Sequence, residues 1–156
     1  MTSALEILLG PIGQGTTRFS KADKREDTET ARTLEAFSRE IVGDMLRDNA
    51  AYAYLLADHV SEFPGDLRLT SAASFIQYRA KLVDMVPGVQ LDILTSAAEV
   101  KNLERRAVVW LTCTLSYPNV SNMARRESVA VLYWQRKRRA TEWRCASSKF
   151  VHGYWE

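Results

Sequence analysis

The sequence predicts an α+β domain in which helices come first and an antiparallel sheet comes last. Three observations predict it. Apolar residues recur at spacings of three and four in the first half of the chain, the period of a half-buried helix. Runs rich in Val, Tyr, Trp and Phe fill the last two-fifths, and these residue types suit a pleated, half-buried surface. Within residues 126–156, two such runs flank the basic, turn-like tip Arg136–Arg139, which reads as a hairpin.

At 156 residues the chain reads as one domain. Residues 1–26 form the least structured part. Leu5–Leu9 is a single apolar turn, broken by Gly10, Pro11, Gly13 and Gly15. Lys21–Glu26 is a charge run. This stretch is expected to be a flexible N-terminal arm, and residues 27–156 the folded domain.

The first helix is expected to start near Asp27 or Thr28, which can cap it. Its apolar stripe is Leu34, Phe37, Ile41 and Met45. Asp44 falls on that same face near the C-terminal end, where a carboxylate opposes the helix dipole. A raised pKa is expected there. Asn49 caps a second helix over residues 50–58, with Tyr52, Tyr54, Leu55 and Leu56. A short strand follows and ends at Pro64-Gly65. A third helix opens at Thr70 or Ser71 and runs to about Met85, with Ala72, Phe75, Ile76, Arg79, Leu82 and Val83 on one face. Pro87-Gly88 stops it. Four longer strands come next: 89–95, 106–117, 128–135 and 141–151.

Charge and motifs exclude several function classes. The net charge of +2 is uninformative, although residues 101–156 hold 11 Lys/Arg against 4 Asp/Glu. The tip Arg136–Arg139 beside Trp134 and Trp143 resembles a nucleic-acid patch, but four charges at a hairpin tip are better read as a solvated turn. There is no Walker motif, GxSxG or GxGxxG. Two isolated cysteines, Cys113 and Cys145, and two histidines give no zinc spacing. They read as buried thiols of a reducing compartment. No apolar run is long enough to span a membrane. The chain reads as cytoplasmic, free of cofactor, metal, nucleic acid and membrane.

The element order resembles the cone-shaped NTF2-like superfamily, which includes ketosteroid isomerase, SnoaL-type polyketide cyclases, limonene epoxide hydrolase and scytalone dehydratase. The stretch LLADHVSEFP (55–64) is similar to that family's helix-to-strand passage. LYWQRK and EWRCASSKFVHGYWE are similar to the closing strands of scytalone dehydratase. The resemblance covers roughly residues 30–156. It implies three N-terminal helices packed on a curved antiparallel sheet, with a pocket between them. It also implies which side chains face that pocket: Phe63, Leu91, Ile93, Ser128, Ala130, Leu132, Trp134, Trp143, Cys145, Ser147 and Lys149.

The departures from the family narrow the chemistry. Phe63 stands where ketosteroid isomerase has its base, and Leu132 where it has its hydrogen-bonding acid. The histidines of scytalone dehydratase fall near Ile93 and Ser128. Asp44 alone lies within a residue of a first-helix acid used by the dehydratase.

An apolar cavity with a few polar groups suits a hydrophobic small molecule, such as a polyketide, terpenoid or steroid-like compound. Asp44 is the expected acid/base, and Tyr54 or His59 could polarise a substrate oxygen. Phe63, Leu91, Ile93, Ser128, Leu132, Trp134, Trp143, Ser147 and Lys149 are the expected substrate contacts. The expected activity is a cofactor-independent isomerisation, cyclisation, dehydration or epoxide opening. A non-catalytic ligand- or protein-binding module is the alternative. Val129, Val131 and Tyr133 on the outer parity of the sheet point to a homodimer.

Overall fold

The protein is described by a computed structural model that covers residues 21–43, 49–117 and 124–152. Helix α1 spans Lys21–Gly43 and α2 spans Ala72–Met85. Six strands form one sheet: β1 (Leu55–Phe63), β2 (Leu67–Leu69), β3 (Gln90–Lys101), β4 (Arg106–Tyr117), β5 (Ala124–Arg136) and β6 (Trp143–His152). Their order in space is β2-β1-β6-β5-β4-β3.

Helix α1 begins six residues before the expected cap, so the charge run Lys21–Glu26 is helical. Lys, Ala, Arg and Glu are good helix formers, and tertiary packing need not start them. Leu34, Ser38, Ile41 and Val42 are its buried residues, one stripe that lies on the sheet. Ser71 caps α2, its Oγ accepting from the Ser74 amide at 3.0 Å. The buried residues of α2 are Ala72, Phe75 and Arg79, at spacings of three and four.

Three expectations are corrected. The helix expected over residues 50–58 is a short 3-10 turn, Asn49–Tyr54, followed by β1. There are therefore two α-helices among the described residues, not three. Leu55–Asp58 has residues that suit a helix, but it belongs to β1, which pairs with β6 at Leu55 and again from Val60, and sheet pairing overrides the local preference. The sheet is also mixed. β1 runs parallel to β6, with Leu55 opposite Cys145 and Val60 opposite Ser147; the other neighbouring strands are antiparallel. Finally, β3 extends to Lys101, past the expected end at Thr95.

Two bulges shape the sheet. Leu94 is the extra residue of β3 between Ile93 and Thr95. Ala146 is the extra residue of β6 between Cys145 and Ser147. A bulge shifts the period-two alternation by one residue. Beyond Ala146 the inward positions of β6 are Ser148, Phe150 and His152 rather than Ser147 and Lys149. Ser148 and Phe150 are accordingly buried, and Lys149 is exposed.

The core lies between the helices and the concave face. Leu34, Ile41, Val42 and Phe75 from the helices meet Val109, Leu111, Ala130, Leu132, Trp134 and Cys145 from the sheet.

Candidate functional site

The concave face is built from rows of side chains that the strand register aligns. From one end they are Ala107, Trp134 and Cys145; then Val109, Leu132 and Ser148; then Leu111, Ala130 and Phe150; and last Cys113, Ser128 and His152. The first end is closed. Trp134 is buried, and its indole N–H donates to Ser38 Oγ at 3.0 Å. Phe37 stacks on Tyr54 with ring centroids 4.3 Å apart and lies 6.2 Å from Trp134. This end is filled core.

The opposite end differs, because its last row is polar. Cys113 Sγ lies 3.1 Å from Ser128 Oγ and 3.5 Å from the Ser128 carbonyl. Burial pushes the Cys113 thiol pKa up, while Ser128 and nearby Arg79 oppose that rise. The thiol therefore stays protonated and is no nucleophile at neutral pH. His152 stands in register with Ser128. Its Nδ1 is buried and has no hydrogen-bond partner among the described residues. Burial, and then the charge of Arg126, lower its pKa, so the ring is neutral.

Arg79 reaches this end from α2. It is 5% exposed. One Nη2 hydrogen goes to the Val42 carbonyl at 2.5 Å, at the end of α1. The guanidinium lies 5.7 Å from the Phe150 ring centroid, a cation–π distance. Its Nε–H is buried without a partner. Burial lowers its pKa to about 10, which leaves it charged at neutral pH. No described carboxylate forms an ion pair with it; the described ion pair is Arg144 with Glu142. Among the described residues this buried cation meets a carbonyl and a ring, a costly environment.

A groove of about 680 Å³ opens where β1 turns away from β6. Phe63, Leu67, Arg68, Lys149, Phe150 and His152 are among its lining residues. The Phe63 and Phe150 rings are stacked at 4.9 Å and 3°, and Phe75 and Tyr78 extend the aromatic cluster. Phe150 and His152 belong both to this groove and to the interior rows that Arg79 faces. The volume suits a small molecule.

The residues expected from sequence fall into several groups. Asp44 lies outside the described residues. Tyr54 ends the 3-10 turn. Its hydroxyl hydrogen bond to Glu40 raises its pKa, followed by burial and the Glu40 charge, so it is a poor proton donor. His59 is fully buried. Its Nδ1 lies 3.0 Å from the Cys145 carbonyl and its Nε2 lies 2.9 Å from Ser148 Oγ. A carbonyl only accepts, so Nδ1 carries the proton and Nε2 accepts from the serine. Burial lowers the His59 pKa, and the neutral ring ties β1 to β6.

Phe63 lines the groove, and Ser128 lies in the polar row. Leu91 and Ile93 pack on the core from β3. Leu132 and Trp134 are interior core. Trp143 carries the Arg136 guanidinium 5.5 Å from its ring centroid; Arg136 also donates to the Ala140 and Asn102 carbonyls. Ser147 and Lys149 have outward parity, a correction that follows from the Ala146 bulge, although Lys149 reaches the groove rim.

Arg79, Cys113 and His152 were not anticipated as site residues. One signal was present for Arg79: a cation on an otherwise apolar helical stripe, four residues after Phe75.

The outer sheet face carries an apolar patch. Trp110, Tyr133 and Val151 are 38%, 44% and 45% exposed. Register places Ala97, Trp110 and Val131 in one row, Val108 and Tyr133 in a second, and Val129 and Val151 in a third. Among the described residues no cluster of His, Cys, Asp and Glu is placed to hold a metal. No described helix is long and apolar enough to cross a membrane.

No family model matches the chain, and no curated protein matches it. Solved structures do share its fold. An NTF2-like protein with a cystatin-like fold from Novosphingobium aromaticivorans has a TM-score of 0.61 at 12% identity, covering 86% of this chain and 90% of that one. A domain of unknown function with a cystatin-like fold from Nostoc punctiforme has a TM-score of 0.66 at 13% identity, covering 88% and 81%. A candidate ketosteroid isomerase from Shewanella frigidimarina has a TM-score of 0.61 at 8% identity, covering 74% and 92%.

Proposed function

We propose that this chain, which has the NTF2-like fold, takes a small, mainly apolar molecule into the open end of its cone and acts on it by cofactor-independent acid/base chemistry. The observation that carries the ligand-binding part is the polar last row of an otherwise apolar concave face. Buried Cys113 and half-buried Ser128 and His152 adjoin Phe150, Phe63 and a groove of about 680 Å³. Apolar walls with few polar groups are what such a ligand needs.

The acid/base part rests on Asp44. In sequence Asp44 follows by two residues Val42, whose carbonyl Arg79 holds. A desolvated carboxylate there would abstract or deliver a proton in an isomerisation, cyclisation, dehydration or epoxide opening. Among the family's activities an isomerase, a cyclase or a dehydratase, which is a lyase, fits best. A metabolite of polyketide or terpenoid type, made in secondary metabolism, fits the apolar walls.

A non-catalytic binding module is the second reading. It is favoured by Tyr54 and His59, whose polar atoms are already committed to Glu40, Cys145 and Ser148. One probe separates the two. 5-Nitrobenzisoxazole opens when a base removes its ring proton, without a specific substrate. Wild type should open it above the buffer rate, and Asp44→Asn should lower that rate by about 100-fold with an unchanged circular dichroism spectrum. Binding of the probe with no excess turnover would favour the binding module.

The biological unit is proposed to be a homodimer joined through the outer face. Trp110, Tyr133 and Val151, with half-buried Val131 between them, expose more apolar surface there than a solvated face needs.

A further inference from the structure

We infer that Arg79 is the receptor for a carboxylate carried by the apolar ligand, with His152 and Ser128 beside it. This rests on the small-molecule reading above and names the ligand class: an apolar monocarboxylate.

Two buried polar atoms at this end of the cone lack partners among the described residues. They are Arg79 Nε and His152 Nδ1, and each can offer an N–H. The register that aligns Cys113, Ser128 and His152 places the Ser128 hydroxyl between the other two, and Arg79 acts electrostatically on Cys113. Arg79 of α2 and the row Cys113, Ser128 and His152 of β4, β5 and β6 therefore belong to the same end of the interior. Arg126 acts on His152 as a second cation, and the adjoining groove carries Arg68 and Lys149 together with Glu62 and Asp66. The nearest described acids in sequence, Asp92 beside Ile93 and Glu127 beside Ser128, have the opposite strand parity and are exposed. The unpartnered Nε–H of a charged guanidinium matches a carboxylate oxygen, the strongest acceptor a ligand can bring. The stacked Phe63 and Phe150 rings supply an apolar wall next to it. A ligand without an acceptor would leave Arg79 Nε–H unsatisfied, which penalises binding, and a neutral carbonyl would meet it with a weaker bond than a carboxylate does.

The test uses the full-length protein and two probes of one shape, 1-naphthoate and 1-naphthamide, titrated by calorimetry. Wild type should bind 1-naphthoate at least about 10-fold more tightly, since one charge-assisted hydrogen bond is worth that much. Arg79→Met should abolish the difference and keep 1-naphthamide binding. Arg79→Lys should restore part of it. Equal affinity of wild type for the two probes would overturn the carboxylate receptor and leave the small-molecule reading standing. Failure of both probes to bind would overturn both. A second arm asks whether the chain already supplies the anion. In a double-mutant cycle of Arg79→Met and Asp44→Asn, followed by urea unfolding of ligand-free protein, additivity supports the inference. Strong coupling would mean that Asp44 is the counter-ion, and the inference falls.

Discussion

Replacing Arg79 with methionine should leave the ligand-free protein within about 1 kcal/mol of wild-type stability. The magnitude follows from opposing effects. Burial lowers the guanidinium pKa to about 10, which at 1.36 kcal/mol per pKa unit is a net cost of holding the charge of roughly 3 kcal/mol at neutral pH. Methionine has a similar length and carries no charge, so that cost disappears. The substitution also removes the charged N–H bond to the Val42 carbonyl, worth about 1.5–3 kcal/mol, and the contact with Phe150, worth about 0.5–1 kcal/mol. The remainder lies near zero, and methionine packing in the aromatic cluster tips it upward. Urea denaturation followed by tryptophan fluorescence gives the difference directly. A gain of 1 kcal/mol would raise Tm by about 2–4 °C in a domain of this size. A loss of about 3–5 kcal/mol, the cost of breaking a buried ion pair, would refute the reasoning, because it would mean that Arg79 has an internal counter-ion.

Three further outcomes are expected. Ser38→Ala strands the buried Trp134 N–H and should cost about 1–3 kcal/mol in urea unfolding, with no effect on naphthoate selectivity. The pKa of His59 is lowered by burial, so the unfolded chain takes up a proton that the folded ring resists. Stability is then full above about pH 6.5 and falls as pH drops below it. His59→Gln should flatten that fall in urea midpoints measured at descending pH, and the slope that remains belongs to His152, which is shifted the same way. Sedimentation at micromolar concentration should give twice the 17.7 kDa chain mass, and Trp110→Lys should reduce it to the monomer. A wild-type monomer would remove the outer-face dimer.

The order of helices and strands was legible because each periodicity was long and clean. RAVVWLTCTLSY forms β4 with the expected bounds, and Ser71 caps α2 as its side chain suggested. Residues 55–58 misled because LLAD carries no local mark of a strand. What makes it one is β6, which arrives late in the sequence. The inward parity of β6 was legible only up to Cys145, since an alanine gives no sign of being a bulge. The same limit hid most of the candidate site. His152 faces inward only because Ala146 shifts the alternation, and Cys113 gains a role only through its register with Ser128. Arg79 could have been flagged from its place on an apolar stripe. The missing partner of its Nε–H is a property of the assembled interior, which no spacing encodes.

The pairing of β1 with β6 has a consequence for how the protein is made. His59 waits for a carbonyl and a hydroxyl that lie 86 and 89 residues downstream. At typical synthesis rates of about 5–20 residues per second, the β1–β2 hairpin leaves the ribosome roughly 5–20 s before its neighbour exists. During that time one edge of β1 is open to any other strand. β3, β4 and β5 can meanwhile assemble by local antiparallel pairing, which forms readily. The nascent protein is thus two fragments awaiting one strand. β6 enters between β5 and β1, and its arrival joins the two in a single late step.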